Sequence, residues 1–565
     1  MNLKKHISDF IESPLTLFLF FVIVNLIPSL GLVYTEPFNI WGKLVLILFP
    51  AGCYMILFSA LKNIGLTQLL LIPLLVIHSF QIVIFYLFGE GVIAVDMFLN
   101  VVTTNTSEAG EVLHSIMGAL IFIVVVYVPT IIIASVACKK RVHLNKRFRL
   151  KSSIIGAIVI CSSVCLSLPA KNNITNQFQF YEDVYPVDVF YNLNFACHKW
   201  HRSNEYLETS KDFKFGAKKI LKSDHREIYV FVIGETSRAE NWSFYGYKRS
   251  TTPFLEKDSN IVLFKDVLTQ SNTTHKSVSI MMSSASAENY DIIYNQKSII
   301  QAFKEVGFST VFLSNQSANR TFTDYFAQEA DFTEYYRFFN KSVNNLDEAL
   351  LPRFQHYIDS VPGNLFIVLH TYGSHFNYKE RYPEKYAINK PDNVKEISKH
   401  NKDIMLNAYD NTIRYTDYIL SNVIKILGNT NSCSTLLYAS DHGEDILDDD
   451  RLRFLHASPT PTFYQLRIPM FMWFSDTYRK EFPATIANVE KNASKPISTN
   501  TVFHSILDAA KIDTKYLNRS KSLVSDKFEV KERMYLNDHD EPIPFFKTGL
   551  KKEDWVMIKK RGIAY

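Results

Sequence analysis

Cysteine is scarce in this 565-residue chain: six in all, of which Cys53, Cys138, Cys161 and Cys165 lie in or beside long apolar runs. Only Cys197 and Cys433 remain, which excludes a disulfide framework and leaves room for one bridge at most. Charge is thin as well, at 21% of residues against 47% hydrophobic and 14% aromatic, an apolar and Phe/Tyr-rich balance unlike that of an ordinary soluble protein. No internal repeat or low-complexity tract breaks the second half, so that half reads as one catalytic-sized domain. The first apolar run lacks a small-residue cleavage site after it, so it reads as a retained helix rather than a signal peptide.

Apolar residues, in contrast, are abundant in the first third. Five segments are near the ~20 residues needed to cross a bilayer: Leu15 to Tyr34, Leu44 to Leu61, Leu69 to Phe88, Ile116 to Cys138 and Ser153 to Pro169. Between the last two lies KKRVHLNKRFRLK, seven basic residues without an acid, whereas Gly89 to His114 carries Glu90, Asp96, Glu108 and Glu111 and no Lys or Arg. The positive-inside rule puts the basic loop and the N-terminus in the cytoplasm and everything after Ala170 across the membrane. The net charge of +5 is partly concentrated in that one loop, so it reflects topology and gives no reason to invoke nucleic acid.

Residues 171–226 interleave Phe178, Tyr181, Tyr185, Phe190, Tyr191, Trp200 and Tyr206 with polar residues. The segment reads as a linker along the membrane surface, or equally as the first buried aromatics of the next domain. From residue 227 to 565 the pattern alternates. IYVFVIG (Ile228 to Gly234), STVFLS (Ser309 to Ser314), NLFIVLH (Asn364 to His370), STLLYAS (Ser434 to Ser440) and IPMFMWF (Ile468 to Phe474) are continuous enough for buried strands. Lys297 to Val306, Leu346 to Ile358 and Leu406 to Leu427 have helical spacing. The expectation is an α/β domain around a mostly parallel central sheet.

Chemistry in such sheets collects at the carboxyl ends of the strands. Glu235 follows the first strand, Asn315 and Gln316 the second, His370 through His375 the third, and Asp441-His442 the fourth, in LLYASDHGED. Each alone has a dull reading, such as a helix cap or an ordinary hydrogen bond. Together, Glu235, Asp441 and His442 supply two carboxylates and an imidazole, a three-ligand zinc set with one position open. QSNTTHKSVSIMMS, Gln270 to Ser283, offers hydroxyls at the start of a helical stretch, a natural anion site. A metal-bound hydroxyl there would lose its proton more readily than a free one.

VIGETSRAENWSFYGYKRSTTPFL, the Thr-rich segment, LHTYGSH followed by RYPEKY, and SDHGED with a later LHA resemble the membrane phosphoethanolamine transferases of Gram-negative bacteria. That family belongs to the alkaline phosphatase and sulfatase superfamily, and the resemblance covers nearly the whole chain. It implies a five-helix transmembrane domain, residues 1–170, followed by a sulfatase/alkaline-phosphatase-like α/β domain in the periplasm of an inner-membrane protein. It also implies a Thr274 nucleophile, with adjacent Thr273 as rival, and zinc held by Glu235, Thr274, Asp441 and His442, one ion and at most a second. His375 and His456 would meet the phosphoethanolamine or that second zinc. Arg320 takes the place of a family lysine near the substrate phosphate, with Asn315 and Gln316 as further donors. Asn100, Thr103, Asn105 and Glu108, in the outer loop, match the region that accommodates the lipid donor, although an interfacial helix of no chemical role would look the same.

The reaction so implied is transfer from phosphatidylethanolamine, through a covalent threonine intermediate, to lipid A or to the lipopolysaccharide core, by a monomer. The cysteines that flank the nucleophile in lipid A-modifying members are absent here, which leaves the acceptor open. A phosphoglycerol transferase or sulfatase-like hydrolase is the alternative within the superfamily, though the Thr segment lacks the Cys/Ser-Pro-Arg signature of a sulfatase. A non-enzymatic membrane sensor is the alternative outside it.

Overall fold

The computed structural model describes residues 6, 9–103, 110, 113, 116–171, 178–337, 346–393 and 397–564. They fall into two compact units: one within Met1–Phe98, Leu113–Ala196 and Arg451–Arg453, the other within Leu99–Val112, Cys197–Asp450 and Phe454–Tyr565.

The first unit is helical. Ile40–Ala60, Met117–Lys139 and Lys146–Ala170 are long and apolar enough to cross a membrane. Two bent pairs, Pro14–Asn25 with Ile27–Thr35 (44°) and Ile64–Leu70 with Ile72–Phe88 (57°), bring the number to five if each pair is one span. Pro28 and Pro73 sit in the first turn beyond each bend, where the ring removes an N–H and so breaks the ladder. Polar caps mark four helix starts among the described residues: Ser13, Asn39, Asn63 and Asn145 accept from Thr16 N, Gly42 N, Leu66 N and Phe148 N. The segment expected to be a fifth, short span is part of a 25-residue helix. It packs closely on Ile40–Ala60, where a Cβ on Gly156 would sit 2.8 Å from the Gly52 carbonyl oxygen, a small-residue contact that brings two backbones together.

From Phe178 to Arg226 the aromatic side chains divide. Phe178, Tyr185 and Tyr206 are buried, while Tyr181, Phe190, Tyr191 and Trp200 are exposed. Helix Val187–Asn204 occupies much of the segment.

The second unit is built on seven strands: β1 Glu227–Gly234, β2 Ile261–Leu263, β3 Ser309–Ser314, β4 Phe332–Tyr335, β5 Leu365–His370, β6 Cys433–Ser440 and β7 Met470–Phe474. Their order in the sheet is β2-β7-β6-β1-β5-β3-β4. β1, β3, β4, β5 and β6 run parallel, and every residue of β1, β5 and β6 is buried, as continuous apolar runs require. The sheet is mixed rather than simply parallel, because β7 pairs antiparallel with both β6 and β2. No long helix separates β6 from β7, and a parallel return needs such a crossover. Helices Ile299–Glu305, Leu350–Ser360 and Lys402–Gly428 match the three expected ones. The last is buried all round from Asn407 to Ile413, while in its second half Ile419, Leu420, Val423, Ile424 and Leu427 form the buried face.

Candidate functional site

Four parallel strands end at one place. Glu235 leaves β1, Asp441 and His442 leave β6, and the segments after β5 and β3 bring Gly373 and Gln316 against Glu235. Thr236 holds φ +60°, costly for a β-branched residue. Its amide donates to Asp441 Oδ1 (3.0 Å) and its hydroxyl to Glu235 Oε1 (2.7 Å). Those bonds hold the strained turn and aim both carboxylates. Gly373, at φ +51°, lets the next loop lie on the first: a Cβ there would be 2.7 Å from the Glu235 carbonyl oxygen, and Ser374 N donates to that same oxygen at 3.0 Å.

Helix Thr274–Met282 completes the cluster. Thr273 is its N-cap, in extended conformation, and its hydroxyl pairs with Ser271 Oγ at 3.1 Å. Thr274 begins the helix, with Oγ 3.1 Å from His442 Nε2 and 3.4 Å from Glu235 Oε1. Of the two adjacent threonines, Thr274 therefore joins the cluster. Ser277, one turn on, donates to the Asp441 carbonyl at 2.6 Å and ties the helix to the end of β6.

The groups facing inward are acceptors. His442 Nδ1 lies 2.9 Å from the Gly443 carbonyl and so carries the proton, which leaves the Nε2 lone pair toward the cluster. That nitrogen is 3.2 Å from Asp441 Oδ2 and 3.6 Å from Glu235 Oε1. Asp441 Oδ2 is buried and makes no hydrogen bond. Burial, and then the facing Asp441 carboxylate, push Glu235 up to about 7; burial raises Asp441 to about 7 as well. His442 is lowered to about 4 by burial and by neighbouring His456. The Asp441 Oδ2 and His442 Nε2 lone pairs beside the Glu235 carboxylate fit a cation, and the ligand atoms of Glu235, His442 and His456 lie within 4.8 Å of one another.

His456 stacks near His442, ring centroids 4.0 Å apart, and His375 lies 6.2 Å beyond it. Burial, then Arg381, His456 and Arg337, hold His375 well below the ordinary imidazole range. Gln316 Nε2 donates to Glu235 Oε2 (2.8 Å) and to the Thr371 carbonyl (3.0 Å), so it orients a carboxylate of the cluster. Asn315 stands one layer further back. It donates to Asp347 (2.8 Å), whose carboxylate also receives the amides of Tyr372 and Gly373. His370, at the end of β5, is enclosed beside Ser314.

Arg320 is not brought to the cluster: it is exposed, and among the described residues no contact links its side chain to the site. Asn100 and Thr103 lie in helix Val95–Thr103 with side chains outside the described set, and Asn105 and Glu108 lie outside the described residues. Cys197 and Cys433 are both free, the first exposed and the second buried, so the one bridge left open by the sequence is not formed.

Glu444 was missed. It is buried behind His456, with Oε2 3.4 Å from His456 Nδ1, and burial pushes it up to about 8. The only available signal was its place in SDHGED, where an acid two residues past a histidine reads as a solvated turn.

This fold and this cluster define an α/β domain that gathers a threonine hydroxyl, carboxylates and imidazoles at the ends of parallel strands, attached to a set of apolar helices. Residues 227–512 match the sulfatase family, and the chain belongs to that family. It is 29% identical over 325 residues to the phosphoethanolamine transferase EptA of Escherichia coli K12, a stretch covering 54% of this chain and 57% of that protein. The chain thus spans little more than half the length of this curated relative. The C-terminal periplasmic domain of EptC from Escherichia coli, solved in complex with Zn, superimposes with a TM-score of 0.54 at 25% identity, covering 60% of this chain and 97% of that one. The integral membrane lipooligosaccharide phosphoethanolamine transferase A of Neisseria meningitidis gives a TM-score of 0.71 at 22% identity, over 89% of this chain and 97% of that one. The fold of that whole membrane protein is therefore shared.

Proposed function

We propose that this protein transfers phosphoethanolamine from phosphatidylethanolamine to lipopolysaccharide on the outer face of the bacterial inner membrane, with Thr274 as the nucleophile. The observation that carries the reading is the Thr274 hydroxyl itself, at the start of a helix, 3.1 Å from His442 Nε2 and 3.4 Å from Glu235 Oε1. The relatives named phosphoethanolamine transferases support the group transferred. The zinc complex of the EptC domain supports the metal. The basic loop between Met117–Lys139 and Lys146–Ala170 supports the orientation.

Glu235, Thr274, Asp441 and His442 would hold a zinc ion, with His456 and His375 on the side where a second would bind. The metal would lower the pKa of the threonine hydroxyl and offset charge on the transferring phosphoryl group. Thr274 Oγ attacks phosphorus, forming an Oγ–P bond and breaking the bond to the diacylglycerol oxygen, which takes up the proton that Thr274 gave up. In the second half-reaction an acceptor oxygen on lipid A or on the core displaces the phosphoethanolamine from Thr274, restoring the hydroxyl. Gln316 fixes the rotamer of Glu235. His456 would contribute a hydrogen bond as charge develops on the phosphoryl group, whereas His375, whose Nδ1 proton goes to the Phe376 carbonyl at 2.6 Å, offers Nε2 as an acceptor for the ammonium or a cation.

The test is the intact mass of lipid A and of core oligosaccharide from cells expressing the wild type or Thr274→Ala. One added phosphoethanolamine in either fraction, present with the wild type and absent with the variant, is the expected result, and the fraction that carries it names the acceptor. The proposal fails if wild-type expression changes neither fraction although the protein is folded and binds zinc.

A further inference from the structure

The helical unit contains a second group of buried polar side chains. Tyr54 comes from helix Ile40–Ala60, His78 and Gln81 from Ile72–Phe88, Tyr127 from Met117–Lys139, and Tyr185 and Asp188 from the turn that opens helix Val187–Asn204. None of the six exceeds 4% exposure, and Asp188, His78, Gln81 and Tyr185 are at 0%. His78 Nδ1 is 2.6 Å from the Tyr185 hydroxyl. The His78 ring lies 5.4 Å from that of Tyr185 and 6.2 Å from that of Tyr127. Asp188 interacts electrostatically with Tyr54 and Tyr185, and Tyr54 with Tyr127.

Most of these groups keep a polar atom with no partner among the described residues. Neither carboxylate oxygen of Asp188 makes a hydrogen bond, nor do His78 Nε2, Gln81 Oε1 and the hydroxyls of Tyr54 and Tyr127. Asp188 has no ion pair among the described residues, and only the first amides of its own helix point toward it. Burial raises its carboxyl well above the usual range. A buried carboxyl packed on membrane helices, with the like charge of Asp183 acting on it, is costly to maintain and is a candidate functional site.

The chemistry of the cluster selects its occupant. The Asp188 carboxylate and, in the tautomer in which Nδ1 donates to Tyr185, the His78 Nε2 lone pair are acceptors grouped with three tyrosine rings, and Gln81, one turn beyond His78 on the same helix, adds a buried carbonyl oxygen without a partner among the described residues. That set matches a primary ammonium: three N–H donors, one positive charge, and aromatic faces that attract it. A quaternary ammonium could use the rings but would leave the acceptors unpaired. The site belongs to the helical unit, so its ligand arrives from the lipid phase.

We propose that this cluster binds the primary ammonium of an ethanolamine-headgroup phospholipid, with Asp188 as its counterion, and so recruits donor lipid within the membrane unit. The proposal rests on the donor named under the proposed function. Because the six side chains are enclosed, the headgroup enters as the turn bearing Tyr185 and Asp188 lifts from the three helices.

The test uses full-length Thr274→Ala protein, in which turnover cannot consume the lipid, incubated with phosphatidylethanolamine or phosphatidylcholine of the same acyl chains and read by native mass spectrometry. Retention of phosphatidylethanolamine at least tenfold above phosphatidylcholine is expected, falling to within twofold when Asp188→Asn is added. Should Asp188→Asn not fold, Tyr54→Phe with Tyr127→Phe removes only two hydroxyls and is expected to cut the preference at least threefold. Equal retention of the two lipids, or a preference that survives these changes, overturns the proposal. Neither readout depends on transfer. Unmodified lipopolysaccharide in cells alongside an Asp188-dependent preference would sink the transferase reading and leave this site standing, and the reverse pattern would do the opposite.

Discussion

The two units differ in what their hydrogen-bonded side chains support. In the α/β unit Thr236 and Gln316 aim Glu235, and Asn315 and Asp347 hold the loop after β5, while His370 Nε2, Tyr438 Oη and Glu444 Oε1 have no partner among the described residues. In the helical unit the backbone satisfies itself within each helix, and Asp188, His78, Gln81, Tyr54 and Tyr127 are left with unused capacity. The difference teaches where rigidity is required. A site that stabilises a transition state must be preorganised, whereas a site that admits a lipid headgroup needs groups still able to bond.

Metal removal should separate the units most sharply. Chelator treatment of the full-length protein is expected to reduce transfer to background and added zinc to restore it, with no change in the lipid preference of the helical unit. A transfer assay and the lipid-retention assay on one preparation check both, and transfer that persists after complete zinc removal breaks the comparison.

Packing should be the next largest effect, and it belongs to the helical unit. Gly156→Leu forces a side chain into the backbone of the neighbouring helix, where even a Cβ would lie 2.8 Å from the Gly52 carbonyl oxygen. Destabilisation on the order of 3 kcal/mol is expected, seen as a lowered unfolding midpoint in detergent. An unchanged midpoint would mean that the helices do not meet there.

The α/β unit should also respond to pH when it is free of metal. Glu235 and Asp441 have higher pKa values folded, about 7, than their ordinary values of 4.5 and 3.8, so between those limits the folded protein holds protons that the unfolded chain has released. Their contribution is present below the unfolded values and is lost as pH rises through about 7. Chelated protein should therefore be less stable at pH 8 than at pH 5, by on the order of a few kcal/mol for the pair. Zinc should erase the difference, because cation binding replaces the protons. Denaturant unfolding at the two pH values, with and without zinc, measures it.

Smaller effects test the support of the cluster. Gln316→Ala frees Glu235 Oε2 and should cost about 10- to 100-fold in transfer or zinc affinity, while Asn315→Ala, one layer back, should cost less. Cys197→Ser with Cys433→Ala is expected to leave transfer unchanged, and the wild type should migrate identically on reducing and non-reducing gels. A reductant-dependent shift would show that the two cysteines meet.

Much of this was legible in the chain. Strands β1, β3, β5 and β6 appear within a residue or so of the apolar runs that announced them, because a strand buried on both faces must be continuously apolar. Glu235, Asp441 and His442 were legible because the carboxyl ends of parallel strands are where a sheet opens. Arg320 stands exposed and away from the cluster because matching a motif gives an address in sequence and no direction for a side chain, and Glu444 was passed over because a buried acid and a solvated one are written with the same letter.

The sequence alone determined which stretches are long and apolar enough to span a membrane, which strands are buried, and which residues stand at their ends, since hydrophobic length and periodicity are local properties. Tertiary structure decided the rest. It bent two of the helical runs by 44° and 57° and reversed β7. It turned Thr273 toward Ser271 as an N-cap while bringing Thr274 to His442. It also enclosed Asp188 among three tyrosines distant in sequence or fixed by the turn. Each of these depends on a backbone angle or on a neighbour supplied by another part of the chain, and a local pattern carries neither.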